Sequence, residues 1–285
     1  MQSNNPVFRR SEAFSGSGAH GTQSYGNSGY GSDPSQWGVG APGDTQGYAP
    51  APQAPSAPMT IDSVVQKTGI TLGVVVVTAL ATWVMLPEIN EDTASSALGT
   101  VSAVATFGFL GAFVLSLVNS FKKVVSPPLV LAFAALEGIA LGAISMLFNV
   151  AYPGAVQGAV IGTFAAFAGT LAAYKILNIQ VGDKFRKFVV AAVFGMIGLS
   201  LMELVLGLFG AQIGLFGVSG LGMVTAVAGL VLGVFMLIMD FDFVEQGIRY
   251  GAPERESWTA AFAMTVSLVW IYTNLLRIMA FFSQE

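Results

Sequence analysis

Four acidic residues lie within or just after long apolar runs, where an unpaired carboxylate is costly. Glu137 and Glu203 are surrounded by apolar residues, and Asp240 and Asp242 follow the apolar run that ends at Met239. A charge at membrane depth must be paired, hydrated or neutralised. We therefore take Asp242, Asp240, Glu137 and Glu203 as candidate ion-pathway or gating residues.

The two aspartates have an alternative interpretation as the solvated end of a helix. Asp242 shares a helix face with Glu245, three residues away, whereas Asp240 and Asp242 are separated by about 200° around a helix. Arg249 and Arg255 follow and are the expected charge partners. For Glu137, the alternative to a pathway or proton-sensing group is a protonated acid that is hydrogen-bonded across a helix bundle.

The composition excludes a water-soluble globular protein. Of 285 residues, 54% are hydrophobic and 10% are charged, whereas a soluble domain has about 25% charged residues. The mean hydropathy is +0.69. Cysteine is absent, which excludes disulfides and thiolate sites.

Seven apolar stretches each approach the length of about 20 residues that one helical crossing needs. Unpaired backbone groups are not tolerated in lipid, so the sequence predicts an all-α bundle of seven transmembrane helices. Glycine pairs at four-residue spacing predict close helix packing at Gly138 and Gly142, at Gly158 and Gly162, and at Gly229 and Gly233. The stretches are Thr68–Leu86, Leu98–Phe121, Pro128–Val150, Ala155–Leu177, Phe188–Gly210, Ser219–Phe241 and Trp258–Phe282.

Residues 1–58 differ sharply in composition from residues 59–285. They are rich in Gly, Ser, Pro, Gln and Ala and cannot bury a core, so we predict a disordered, low-complexity tail that precedes the seven-helix domain. Lysines and arginines precede helix one and recur in the loops after helices two, four and six, but are absent from the loops after helices one, three and five. By the positive-inside rule, the tail is cytoplasmic and the C-terminus is outside.

Catalytic and metal-binding motifs do not withstand inspection. The segment Gly217-Val218-Ser219-Gly220 matches a pattern of intramembrane serine proteases, but the only histidine, His20, lies in the tail. An intramembrane aspartyl protease needs facing aspartates on two helices, whereas Asp240 and Asp242 lie at the end of one helix. The sequence contains no HExxH motif and no Cys/His cluster that could bind a metal. We therefore predict no enzyme, no metal site and no cofactor beyond calcium in transit.

Three segments resemble the Bax-inhibitor family, most closely its bacterial members with a Gly/Pro-rich tail. They are SPPLVLAFAALEGIALGAIS (126–145), LIMDFDFVEQGIRYGAPERESWTAAF (237–262) and the final VSLVWIYTNLLRI. The resemblance extends from about Met59 to Phe282. It implies a central last helix, a pH-sensitive calcium leak and a multi-pass location in the plasma membrane, here the bacterial inner membrane.

The family's functional residues are only partly matched. The resemblance aligns Asp242, or failing that Asp240, with an aspartate of helix six, and Glu137-Gly138 with a Glu-Gly pair of helix three. The resemblance also implies a second aspartate in helix seven. When the alignment is fixed on Asn274, that position is occupied by Ile271. An arginine at the end of helix two has only Lys122 or Lys123 as its counterpart.

Two functions remain open. One is a calcium leak or cation channel with carboxylate-dependent gating, for which calcium or protons are the permeant or regulatory ions. The other is a non-conducting scaffold or regulator of membrane protease or division machinery that recruits partners through its tail. The bilayer is the expected environment, no nucleic-acid partner is expected, and protein partners are not identified by the sequence.

Overall fold

Seven α-helices make up most of the chain that the structure, a computed structural model, describes. The described residues are 57–89, 94–122, 124–211 and 213–284, so the predicted tail through residue 56 and Lys123 lie outside them. All seven helices are long and apolar enough to cross a membrane, which confirms the predicted fold class. They are α1 (Ile61–Met85), α2 (Ala94–Phe121), α3 (Pro127–Ala151), α4 (Ala155–Ile176), α5 (Asp183–Leu208), α6 (Gly220–Arg249) and α7 (Glu256–Phe282).

α1 begins seven residues before its predicted apolar run. Thr60 caps the helix, because its hydroxyl accepts a hydrogen bond from the backbone N–H of Ser63 at 3.1 Å. The Ser63 hydroxyl in turn accepts from the Thr60 N–H at 3.1 Å. This reciprocal pair satisfies two N–H groups that a helix start leaves free.

α6 continues past its predicted end at Phe241 as far as Arg249. Asp242 and Glu245 therefore lie on a continuous helix and not in a loop. Hydropathy marks the part of a helix that matches lipid, whereas the backbone hydrogen bonds carry the same helix on into the polar region.

α7 lies at the centre of the bundle, in contact with α1, α3, α4 and α6. It is the most extensively buried helix, as the family resemblance implied. Its buried polar residues, including Thr265, Ser267 and Asn274, face neighbouring helices and not lipid. Ser267 forms an interhelical hydrogen bond to Asp240 of α6, a kind of contact that supports helix association in a bilayer. Thr265 and Asn274 donate to carbonyls one turn earlier in α7.

The predicted glycine pairs lie at close helix contacts. A Cβ atom at Gly142 would collide with the backbone of Ala79 on α1, and one at Gly138 would collide with the carbonyl of Val75. Gly158 and Gly162 lie against Met279 and Leu275 of α7, and Gly229 and Gly233 lie against Asn274 and Ile271 of α7.

α2 and α5 are the peripheral helices. Among the described helices, α2 packs against α3 alone and α5 against α6 alone. The attachment of α5 to the bundle therefore depends on one apolar contact and on the polar contacts at its two ends.

Residues 57–59 pair with the loop that joins α6 to α7. The Met59 N–H donates to the carbonyl of Ala252 at 2.7 Å, and the Glu254 N–H donates to the carbonyl of Ala57 at 2.7 Å. The side chain of Met59 is only 2% exposed. Composition assigned the first two of these residues to the tail, but their backbone is bound to the helical domain.

α1 strengthens the same connection. Lys67 forms an ion pair with Glu254 at 2.8 Å and lies 5.9 Å from the centre of the Trp258 ring. The hydroxyls of Ser63 and Ser257 are 2.7 Å apart. These contacts fix the α6–α7 loop, and with it the end of α6 that carries the two aspartates.

Candidate functional site

Asp242 forms an ion pair with an arginine from another helix. Its Oδ2 atom accepts hydrogen bonds from Nη2 of Arg186 at 3.0 Å and from Nε2 of Gln246 at 2.7 Å. The side chain of Asp242 is 11% exposed and that of Arg186 is 41% exposed. The carboxylate is thus compensated by one charge and one amide where the bundle meets the polar region.

This partner differs from the expected Arg249 or Arg255. Arg249 lies two helical turns beyond Asp242 and pairs with Glu245, one turn before it. Arg255 lies beyond the end of α6 and forms no ion pair among the described residues. Glu245 also accepts a hydrogen bond from the hydroxyl of Tyr174 at 2.7 Å, which links α6 to α4.

Asp240 faces a different neighbour from Asp242. Its Oδ2 atom accepts a hydrogen bond from Oγ of Ser267 on α7 at 2.5 Å. The angular separation inferred from the sequence is therefore real: one carboxylate is bound to α7 and the other to α5. Asp240 thus lies on the inner side of α6, and Asp242 on the side where α5 begins.

A polar cavity of about 400 Å³ lies between the α4–α5 connection and the end of α6. Asp242, Glu245 and Gln246 line it from α6, and residues 178–181 line it from the connection. The face shared by Asp242 and Glu245, predicted from their spacing, is the wall of this cavity. A cation entering it would meet two carboxylates, both already partly compensated.

A second cavity, of about 190 Å³, separates α5 from α6. Asp240 is its one acidic lining residue, and the remaining lining residues are apolar. They are Val189, Val190, Val193, Phe194, Met236 and Met239. Asp240 therefore lies at the edge of a gap that widens if α5 moves away from α6.

Glu137 lies near the middle of α3, about 15 Å from its start at 1.5 Å per residue. On the same face of α3, the ring of Phe133 lies 5.0 Å from that of Phe262, and Oγ of Ser145 lies 2.6 Å from the Tyr272 hydroxyl. These contacts place Glu137 against α7. Its side chain is buried and forms no hydrogen bond or ion pair with another described residue.

Glu137 and Asp240 flank α7 at a similar depth. The contact of Phe133 with Phe262 sets Glu137 about four residues further along α7, close to Ser267, which binds Asp240. Among the described residues, α3 and α6 do not contact one another. The central helix thus separates Glu137 from the two aspartates, and the three acids do not form one cluster.

Glu203 lies at the opposite end of α5 from Arg186. Its Oε1 atom accepts a hydrogen bond from the N–H of Gly214 at 2.8 Å, in the α5–α6 linker. Glu203 is five residues from the end of α5, or about 8 Å, and is less deep than the sequence indicated. It is therefore at the far end of the bundle from Asp242.

Ser219, from the protease-like motif, has a structural role as the N-cap of α6. Its hydroxyl accepts a hydrogen bond from the N–H of Gly222 and donates to the carbonyl of Gly214, both at 3.1 Å. A serine in this position satisfies a free N–H group at a helix start.

Ile271 occupies the place where the family resemblance implied a second aspartate. It is fully buried and packs against Gly233 of α6. The polar contacts to α6 near this level are instead the hydrogen bond from Nε1 of Trp270 to the carbonyl of Gly229 and the one from Ser267 to Asp240. Within the described ranges, no group of three or more His, Cys, Asp or Glu side chains is arranged to hold a metal ion.

Two arginines were not predicted as site residues. Arg186 was counted only as part of a basic loop, since sequence spacing cannot pair residues on different helices. An arginine near the end of a membrane helix can extend to water, but Arg277 donates hydrogen bonds to protein acceptors on α6 and in the α5–α6 linker. The sequence feature that could have identified Arg277 is its position five residues before the end of an apolar helix. Lys122 forms no ion pair with another described residue, and Lys123 lies outside them.

Comparison with known proteins identifies one family. The family model described as Bax inhibitor 1 like matches residues 5–284, nearly the whole chain. No curated protein matches the sequence.

Proposed function

Because this chain belongs to the Bax inhibitor 1 like family, we propose that it is a calcium leak whose gate is the ion pair between Asp242 and Arg186. We also propose that the conducted ion is calcium, that the ion pair controls its passage and that the protein is not an enzyme. The single observation that supports it best is a buried carboxylate, bound to an arginine of a peripheral helix, in the wall of a polar cavity.

The ion pair can close the path in two ways. Arg186 neutralises Asp242, which lowers the attraction of the cavity for cations. It also ties the beginning of α5 to α6, and this matters because α5 packs against no other described helix. Release of Arg186 would free a carboxylate and loosen α5 in the same step.

The other acids have graded roles in this proposal. Asp240 lies deeper in the bundle than Asp242, at the cavity between α5 and α6. It would bind a cation after the ion pair opens. Glu137, across α7, would tune conduction from the other side. Calcium prefers six to eight oxygen ligands, so these few acids with water and carbonyl groups suit passage better than storage.

The proposed orientation has the cavity on the cytoplasmic side. Lys67, Arg186, Arg249 and Arg255 all belong to the end of the bundle that carries Asp242, and the positive-inside rule favours that end in the cytoplasm. We further propose that the protein resides in a bacterial inner membrane, with the C-terminus outside.

Calcium flux into liposomes tests the proposal. Purified protein is reconstituted into vesicles that contain a calcium-sensitive dye, and the rate of dye response is measured at acidic and neutral pH. We expect flux above that of empty vesicles, a changed rate for Asp242→Asn, a smaller change for Asp240→Asn and reduced conduction for Glu137→Gln.

A matched control uses the same helix. Lys184→Gln removes a positive charge two residues before Arg186, from an exposed side chain that forms no ion pair among the described residues. Its flux should equal that of wild type, whereas Arg186→Gln should differ. Absence of flux from correctly folded wild-type protein would reject the leak and favour the scaffold that recruits partners through its tail.

A further inference from the structure

The linker between α5 and α6, described at residues 209–211 and 213–219, folds back onto the bundle. Gly210 and Gly214 have positive φ angles of 77° and 79°, a conformation that glycine adopts without the strain of a Cβ atom. The chain therefore turns twice within a few residues. Val218 of this linker packs against the main apolar core.

Arg277 of α7 holds the linker through several hydrogen bonds. Its Nη2 atom donates to the carbonyl of Leu215 at 2.8 Å, to the carbonyl of Gly222 at 2.9 Å and to Oγ1 of Thr225 at 2.8 Å. The guanidinium group also lies 5.2 Å from the centre of the Phe216 ring. One side chain of the central helix thus connects the linker to the start of α6.

Glu203 holds the neighbouring peptide group from the other side. It accepts a hydrogen bond from Gly214, the residue before Leu215, so an acid of α5 and a base of α7 bind consecutive linker residues. Glu203 Oε2 and Arg277 Nε are buried without a hydrogen-bond partner among the described residues. Each anchor therefore retains capacity for another contact if the linker moves.

Arg277 is bound by neutral acceptors, and among the described residues the Glu203 carboxylate binds only the neighbouring peptide group. Within the described part of the chain Arg277 forms no ion pair, and its acceptors are carbonyl and hydroxyl oxygens. A fixed positive charge in a region of low dielectric constant repels cations over a longer distance than it would in water. In a leak that runs through the bundle, the charge of Arg277 would therefore oppose the passage of cations at the end opposite Asp242.

From these contacts we infer that Arg277 is a second gating residue, which holds the α5–α6 linker as a plug and opposes cation passage at the end of the bundle opposite Asp242. This inference rests on the proposed calcium leak. It assigns to Arg277 two separable contributions, the hydrogen bonds that fix the linker and the charge itself.

Thiol labelling measures the placement of the linker independently of flux. The chain is free of cysteine, so Val218→Cys reports whether the linker is packed, and Ile213→Cys, at an exposed position of the same linker, is the control. We expect slow labelling of position 218 in the otherwise unchanged protein. Arg277→Gln and Arg277→Lys should speed it severalfold, with no change at position 213.

Calcium flux then separates the bonds from the charge. Lysine keeps the positive charge but cannot reproduce the planar fork of an arginine. Both variants should therefore release the linker, and flux should rise more in Arg277→Gln than in Arg277→Lys. Thr225→Val keeps Arg277 but removes one of its acceptors, together with the hydrogen bond that the Thr225 hydroxyl donates to the Leu215 carbonyl. It should therefore give an intermediate labelling rate, and it serves as the test if the Arg277 variants fold poorly.

Unchanged labelling at position 218 in all three variants would overturn the inference, even if the wild-type protein conducts calcium. Faster labelling without a rise in flux, in a protein whose wild type conducts, would reject the gating role of Arg277. Faster labelling in a series where no protein conducts would reject the calcium leak and this gating role together, and would leave Arg277 only as the anchor of the linker.

Discussion

Asp240 and Asp242, two residues apart on α6, are bound by different helices: Asp240 by Ser267 of α7 and Asp242 by Arg186 of α5. α7 is the central helix, whereas α5 is peripheral and contacts only α6 among the described helices. A change at Asp242 therefore acts on α5, which only one other helix holds in place among those described. A change at Asp240 acts on the contact between α6 and the central helix.

The first prediction concerns pH. The pair of Asp242 with Arg186 requires an ionised carboxylate, so a substitution that removes this charge weakens the closed state and should raise the flux. Glu245, Arg249 and Tyr174 surround the same cavity and are retained. Asp242→Asn cannot form the ion pair at any pH, so its flux should exceed that of wild type at neutral pH and have a flatter pH profile.

Arg186→Gln provides the complementary result. It leaves Asp242 buried with Gln246 as its remaining hydrogen-bond donor, and a buried group that loses a partner costs about 1–3 kcal/mol. We expect a lower melting temperature and a raised flux at neutral pH. If Asp242→Asn matched wild type at both acidic and neutral pH, the gate would have to be elsewhere and the scaffold function would gain support.

The sequence predicted the fold well because lipid imposes a strong rule. Each apolar run must satisfy its backbone hydrogen bonds internally, so hydropathy alone gave seven helices. It could not give the extension of α6 to Arg249, since that part of the helix lies beyond the apolar run. The distinct directions of Asp240 and Asp242 followed from helical geometry, and their separate partners agree with it.

The charge partners were harder to predict. Arg249 was a reasonable partner by sequence distance, but a helix presents residues one turn apart to each other, and Glu245 occupies that position. Arg186 is 56 residues from Asp242 along the chain. Its contact depends on how α5 packs on α6, which a single sequence does not contain.

A second prediction tests the close packing of α1 and α3. Gly142→Ala places a Cβ atom against the backbone of Ala79, and overpacking of this kind costs about 1–3 kcal/mol. Gly73→Ala, on α1 itself, meets nothing within 4 Å and should be neutral or slightly stabilising. The melting temperatures in detergent or nanodiscs give the comparison. Equal melting temperatures for the two variants would contradict the packing assigned to Gly142.

A third prediction concerns orientation. Single cysteines at Pro153 and Gln284 should react with an impermeant thiol reagent added to intact cells, and one at Lys184 should react only after permeabilisation. Pro153 is preferred to Gly154 because Gly154 has a φ angle of 89°, which a cysteine adopts with strain. All three positions are exposed. Labelling of position 184 in intact cells, without labelling of position 153, would reverse the proposed topology.

The last prediction distinguishes the tail from the residues that bind the α6–α7 loop. Deletion of residues 1–56 keeps the pairing of Ala57 and Met59 with that loop, so melting temperature and flux should remain close to those of the full chain.

Deletion of residues 1–59 removes both backbone hydrogen bonds and the burial of Met59. Loss of a buried side chain of this size costs about 2–5 kcal/mol. The longer deletion should therefore lower the melting temperature. It should also speed trypsin cleavage after Arg255, because the α6–α7 loop loses its contacts with residues 57–59. Met59→Ala in the full chain should give a smaller change in the same direction. Equal trypsin sensitivity for the two deletions would mean that α1 alone, through Lys67 and Glu254, fixes the loop.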